Sequence, residues 1–174
     1  MLSSAYAQKL PQAEDPIFCA SFYAPYEAAA RAGLELLSGA REQMPLDVLT
    51  LQYRLKSGES IRGKLLRKRL PLTAASAGAA LRDIAGLRAV LTTREAVYRY
   101  AEEILHSRVL DLTDVHDYIA APKQSGYRSL HLIGRIPVLL PEGAYAVPLE
   151  IQLRTAAMDA WACAEHRLIY KPRA

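Results

Sequence analysis

The sequence predicts an α+β fold: a mixed, largely antiparallel β-sheet flanked by helices. Three observations predict it. From Val48 to Lys56 apolar residues alternate, with Leu49, Leu51, Tyr53 and Leu55 in phase, as a half-buried strand requires. Two longer strands, Arg128 to Leu140 and Ala146 to Arg154, flank a Pro141-Glu142-Gly143 turn and so make a hairpin. Around these strands apolar residues recur at helical spacing. Strands and helices are interleaved within 174 residues, a length that suits one domain with its own core.

Taken in order, residues 1 to about 20 carry Pro11 and Pro16 among small and polar residues and read as a loosely structured lead-in. A helix is expected from Pro25 to Met44, with Ala28, Ala32, Leu36 and Leu37 on one face and Pro45 ending it. After the first strand comes a basic helix from Ser60 to about Leu70, beginning beside Ser57 and Glu59. Pro71 to Ala80, rich in Ala, Ser, Thr and Gly, is compatible with a loop or a helix start. Ile84 to Leu91 is an apolar run suited to a central strand. Thr92 and Thr93 supply a cap for a helix over Arg94 to His106. A last helix covers Ala156 to Tyr170. Residues 1–45 thus form a lead-in and helix, and residues 46–174 carry the chemistry, the two making one globular unit.

Composition excludes several classes. A hydrophobic fraction of 51% with 23% charged residues is neither disordered nor fibrous. The start has no basic segment followed by an apolar core, and no run reaches the length of a membrane span. Cys19 and Cys163 show no paired spacing and suit a reducing compartment. A cytoplasmic protein without a membrane partner is expected. Lys56, Arg62, Lys64, Arg67, Lys68 and Arg69 crowd one stretch in which Glu59 is the one acid, as suits a polyanion such as a nucleotide.

The hairpin carries the sharpest chemical signal. Side chains alternate along a strand, so Leu149, Ile151 and Leu153 can face the core while Glu150, Gln152 and Arg154 point the other way. The same parity groups Tyr127, Ser129 and His131 on the partner strand. A solvated strand face would alternate in the same way, so the pattern alone does not make a site. Upstream, Pro122-Lys123-Gln124-Ser125-Gly126-Tyr127 is a turn that brings a cation and an aromatic ring to the sheet edge. Asp83, at the entrance to the Ile84 strand, and Glu150 are two carboxylates from different strands, the number that Mg²⁺ takes in phosphoryl-transfer sites.

Four ordered blocks resemble the RelA/SpoT-like small alarmone synthetases, single-domain GTP pyrophosphokinases. They are Arg54-Leu55-Lys56 followed by Ser60 and Lys64; Asp83-Ile84-Ala85-Gly86-Leu87-Arg88; the run from Asp117 through Tyr118 and Pro122-Lys123 to Gly126-Tyr127-Arg128-Ser129-Leu130-His131; and Leu149 to Thr155. The tail Ala164-Glu165-His166-Arg167-Leu168-Ile169-Tyr170-Lys171 looks like the ending of such synthetases. The resemblance spans roughly residues 48 to 171 and implies a nucleotidyltransferase-like synthetase domain.

It also implies roles. Arg54 and Arg88 would sandwich the adenine of ATP, while Lys56, Ser60 and Lys64 would hold its phosphates, with Arg67 and Lys68 beside them. Asp83 and Glu150 would bind Mg²⁺, with Glu150 also near the attacking hydroxyl. Tyr127 would stack on the guanine of GDP or GTP, and Lys123, Ser125, His131, Gln152 and Arg154 would line the acceptor half. The family pattern has Lys where this chain has His116 and Asn where it has Ser125, so acceptor identity is less tightly implied than ATP. Two rival readings follow: the same ATP chemistry on a tRNA 3′ end or an adenine nucleotide, or a degenerate nucleotide sensor. Relatives of this type commonly continue into helices that build an oligomer, so a homo-oligomer stays an open expectation for a chain ending at Ala174.

Overall fold

In a computed structural model, which describes residues 17–170, one sheet contains β1 (Val48–Leu55), β2 (Ala85–Leu91), β3 (Asp111–Asp117), β4 (Leu130–Leu140) and β5 (Gly143–Thr155). Their spatial order is β1-β2-β5-β4-β3. The β2–β5 pair is parallel and the other neighbours are antiparallel, as expected for a mixed, largely antiparallel sheet. The helices are α1 (Ala20–Gln43), α2 (Gly58–Arg67), α3 (Ala74–Ala80), α4 (Arg94–His106) and α5 (Ala156–Tyr170). The lead-in at residues 1–16 and Lys171 of the tail lie outside the described residues.

The helix starts follow local chemistry. Ser57, Thr73 and Thr93 each accept a hydrogen bond from the backbone three residues on, which satisfies an otherwise open amide at the first turn of α2, α3 and α4. The undecided stretch from Pro71 to Ala80 therefore resolves as a loop followed by α3. At the end of α4, Arg108 sits at φ 54, a left-handed position where side chains cost energy. Its amide closes the helix onto the Leu105 carbonyl at 3.2 Å. Arg108→Gly is expected to raise stability by about 0.5–1 kcal/mol, read as a higher denaturation midpoint at unchanged slope.

Three expectations need correction. α1 begins at Ala20 and runs through Pro25 rather than starting there. Its buried face is Tyr23, Tyr26, Ala29, Ala30, Gly33, Leu37 and Ala40, so Ala28, Ala32 and Leu36 sit at its flank, and of the expected face Leu37 alone lies at its centre. In β1 the register shifts between Val48 and Thr50, so Val48 and Leu51 are buried while Leu49 is 49% exposed. Strand β3, exposed except at its half-buried last two residues, His116 and Asp117, had no alternation to reveal it.

α1 lies over one sheet face. At Gly33 an added Cβ would come within 2.8 Å of Leu87 Cδ1 and 2.9 Å of Leu149 Cδ2, so glycine permits the close approach. Tyr100 from α4 joins this core and donates to the Leu37 carbonyl. With Leu87, Leu149, Ile151 and Leu153 turned to α1 and α4, the residues of opposite parity are left for the other face.

Candidate active site

Two rows of side chains cross that second face. Strand register places Gln52 opposite Arg88, Arg88 opposite Gln152, Gln152 opposite His131, and His131 opposite His116. The next row runs Arg54, Gly86, Glu150 and Ile133. Gly86 leaves the floor low between Arg54 and Glu150; a Cβ there would lie 3.8 Å from Arg54 Cγ. Together with α2, α5 and the 118–127 segment, these rows enclose a cleft of about 980 Å³, at the upper end of the range for small-molecule sites.

Asp83 lies just before β2, and the β2 pairings run without a shift through Gly86. This is why Asp83 and Arg88, of opposite parity, still border one cleft. Lys56 and Lys64 donate to Asp83 Oδ2 at 2.7 and 2.8 Å. Oδ1 is buried without a partner among the described residues. Burial is the largest influence on this carboxyl and opposes its charge, yet the two lysines outweigh it and hold its pKa below the usual carboxylate range. Tyr23 of α1 donates to the Lys56 carbonyl at 2.8 Å, so the first helix steadies the loop that carries this lysine.

Glu150 belongs to a closed hydrogen-bond ring. Its Oε1 meets His131 Nδ1 at 3.0 Å and its Oε2 accepts from Gln152 Nε2 at 2.9 Å. Gln152 Oε1 accepts from Arg154 NH2 at 2.9 Å, which also donates to the Tyr127 hydroxyl at 2.6 Å. Tyr127 Oη in turn meets His131 Nε2 at 2.8 Å, closing the circuit. With the Glu150 carboxylate as acceptor, His131 presents its Nδ1–H to Oε1, while Nε2 pairs with the Tyr127 hydroxyl on the other side of the ring. Burial of Glu150 disfavours its charge most, but His131 and Gln152 together prevail and keep its pKa below the ordinary value. The Asp83 charge acts on Glu150 in the opposite sense, as befits two acids on one cleft.

The wall between β3 and β4 is a turn. Asp117 Oδ1 accepts from the amides of Ile119 and Ala120, both at 2.9 Å, and Gly126, at φ 84, donates back to the Lys123 carbonyl at 2.8 Å. Lys123 Nζ lies 4.4 Å from the Tyr118 ring centre and 4.9 Å from that of Tyr127. Trp161 of α5, half exposed, backs the Gly126 position.

Of the residues named from sequence, Arg54, Lys64, Lys68, Asp83, Arg88, His116, Lys123, Ser125, Tyr127, His131, Glu150, Gln152 and Arg154 border the cleft. Lys56 joins through Asp83. Ser60 does not border it; its hydroxyl bonds Ser57 at 2.9 Å in the first turn of α2. Arg154 is 4% exposed and is bound up in the ring and in Asp159, so its reach toward a ligand is short. Sequence reading missed Tyr23, Tyr118 and Asp159. Only Tyr118 had a signal, as an aromatic residue inside the acceptor-like run.

Residues 53–174 match the model of the region found in RelA / SpoT proteins. The chain belongs to the RelA/SpoT family. Among family relatives, GTP pyrophosphokinase YwaC of Bacillus subtilis is 42% identical over 118 residues, covering 68% of this chain and 56% of that protein. The chain thus matches little more than half the length of YwaC. GTP pyrophosphokinase YjbM of the same organism is 35% identical over 157 residues, 86% of this chain and 72% of YjbM. The structure of small alarmone synthetase 1 from Bacillus subtilis bound to its product pppGpp superposes with a TM-score of 0.79 at 34% identity, covering 86% of this chain and 78% of that one. The RelA/SpoT resemblance and the α+β fold read from the sequence are therefore both correct. No helix among the described residues is long and apolar enough to cross a membrane.

Proposed function

We propose that this chain transfers the β,γ-pyrophosphate of ATP to the ribose 3′-hydroxyl of GDP or GTP, releasing AMP. The observation that carries the reading is the placing of Asp83 and Glu150 on one cleft, between the Arg54–Arg88 side and the Tyr127–Lys123 side. Relatives named GTP pyrophosphokinases support the substrate class. ATP and guanine nucleotides are substrates met in the cytoplasm.

In this reading adenine enters between the guanidinium planes of Arg54 and Arg88, and the phosphates run toward Lys56 and Lys64. Guanine rests on Tyr127, with Lys123 toward its phosphates. The acceptor 3′-oxygen attacks the β-phosphorus, the bond from that phosphorus to the α,β-bridging oxygen breaks, and AMP leaves with that oxygen. The hydroxyl proton passes to Glu150, whose oxygens each keep a lone pair beyond the bonds to His131 and Gln152. Fixed charge and positioning supply most of the rate in such a transfer.

The acids fit a divalent cation such as Mg²⁺: Asp83 Oδ1 is a buried oxygen without a partner among the described residues, and Asp83 and Glu150 supply the carboxylates. When bound, the ion would neutralise charge on the transferring phosphates. Lys56 and Lys64, now on Oδ2, would turn to phosphate oxygens as ATP enters.

His116 and Ser125 border the acceptor side, which gives the choice of acceptor its own test. Protein and Mg²⁺ are incubated with γ-labelled ATP and, in parallel, GDP, GTP, further ATP or deacylated tRNA. Label in a guanosine pyrophosphate product is expected. Label only on tRNA or on an adenine nucleotide overturns the acceptor assignment, and ATP binding without transfer overturns the enzymatic reading.

A further inference from the structure

The carboxylate of Asp159, in the first turn of α5, stands between two buried or half-buried guanidiniums. Its Oδ1 accepts from Arg154 NH1 at 2.9 Å and lies 3.2 Å from Arg88 NH1. A single oxygen thus serves both. Arg88 belongs to the adenine side of the cleft, and its buried Nε has no partner among the described residues, so the Asp159 contact is what anchors its guanidinium. Arg154 belongs to the other side, holding the Tyr127 hydroxyl at 2.6 Å and Gln152 at 2.9 Å. Burial and the neighbouring Arg154 charge both disfavour the charged form of Arg88, while Asp159 favours it. Without this carboxylate two like charges would face each other in a half-buried floor, an arrangement that costs energy unless a counter-charge sits between them.

We infer that Asp159 is a positioning residue that couples donor binding to acceptor binding by tying Arg88 and Arg154 to one oxygen. This rests on the ATP-and-acceptor reading above. A nucleotide stacked on Arg88 fixes that guanidinium and, with it, the carboxylate. Fixing the carboxylate orders Arg154, and Arg154 orders the Tyr127 ring system on which the second nucleotide rests. The ordering cost is met by whichever ligand binds first, so the second binds more tightly. α5 is suited to the task because its start is fixed: Thr155 Oγ1 accepts from the Met158 amide at 3.3 Å, one residue before Asp159. Asp159 makes these contacts through arginines, so its effect reaches the reacting atoms indirectly.

Loss of a purely structural ion pair would lower both affinities and leave their interdependence alone. Coupling is therefore the quantity to measure. The dissociation constant of α,β-methylene-ATP, which cannot transfer its pyrophosphate, is taken by calorimetry with and without saturating GDP, in Mg²⁺ buffer. In the wild-type chain GDP is expected to tighten the analogue by at least about 5-fold, the lower end of typical coupling between sites. In Asp159→Asn, which keeps shape and loses charge, that ratio is expected to fall to within about 2-fold of unity, and in Asp159→Glu to recover in part. An unchanged ratio in Asp159→Asn, or no coupling in the wild type although both ligands bind, overturns the inference while leaving the proposed function intact. Failure of either nucleotide to bind the wild type removes the functional reading and this inference with it. Should Asp159→Asn not fold, Asp159→Glu carries the comparison, since its longer arm displaces the shared oxygen and must lower the ratio below the wild-type value if the bridge matters.

Discussion

Glu150→Gln is expected to lower pyrophosphate transfer by about 10²–10⁴-fold, the range for removing a general base, while both nucleotides still bind. The amide fills the same space but neither takes a proton nor offers a second anionic oxygen toward the Asp83 side. Label transfer from γ-labelled ATP measures the loss, and calorimetry with GDP measures retained binding. Full turnover in the variant removes Glu150 from the chemistry.

The same substitution tests the ring. Gln152 donates to Glu150 because Arg154 occupies its carbonyl oxygen, so an amide at 150 either turns its own N–H toward the Nδ1–H of His131 or reverses that imidazole's tautomer and leaves the Tyr127 hydroxyl proton without its acceptor. Leaving a buried donor unmet costs about 1–3 kcal/mol. The pKa of Glu150 is depressed in the folded chain, so its contribution to stability is present above the unfolded value near 4 and is lost as pH falls through the folded value. The stability gap between wild type and variant is therefore expected at neutral pH and should shrink below about pH 4.

How much of this was legible beforehand depends on range. Side-chain parity on β5 needed only adjacent residues, and it placed Glu150, Gln152 and Arg154 on one face correctly. The cap at Thr93 and the span of α4 were equally local. Asp83 was legible as an acid, but its position relative to Arg88 depended on where β2 begins, which is set by pairing with β1 and β5. Strand β3 had no apolar alternation because it is an edge strand, exposed along most of its length. Asp159 and Tyr23 were out of reach for a different reason. Each acts through a partner 5 to 71 residues away in the chain, and nothing in the sequence around Asp159 or Tyr23 marks them as part of a site. The closure of the ring through Tyr127 and His131 follows from spatial proximity and has no counterpart in residue order.

The proposed function gives Tyr127 two tasks on one side chain, and two substitutions separate them. In the proposed reading its ring is the platform for the acceptor base, while its hydroxyl joins Arg154 to His131. Tyr127→Ala removes both. Stacking on an aromatic ring is worth about 1–3 kcal/mol per base, so acceptor KM measured at saturating ATP is expected to rise by about 5–150-fold, with a fall in kcat beside it. Tyr127→Phe keeps the platform and leaves Arg154 NH2 and His131 Nε2 facing a gap. Acceptor KM should then stay within about 3-fold, since the stacking surface is intact, while kcat falls because Glu150 is held by an imidazole that has lost its second anchor. The two variants thus divide along different kinetic constants. An unchanged acceptor KM in Tyr127→Ala excludes the ring as the base platform. A wild-type kcat in Tyr127→Phe means that His131 orients Glu150 without help from the hydroxyl, and the circuit is then packing rather than part of the chemistry.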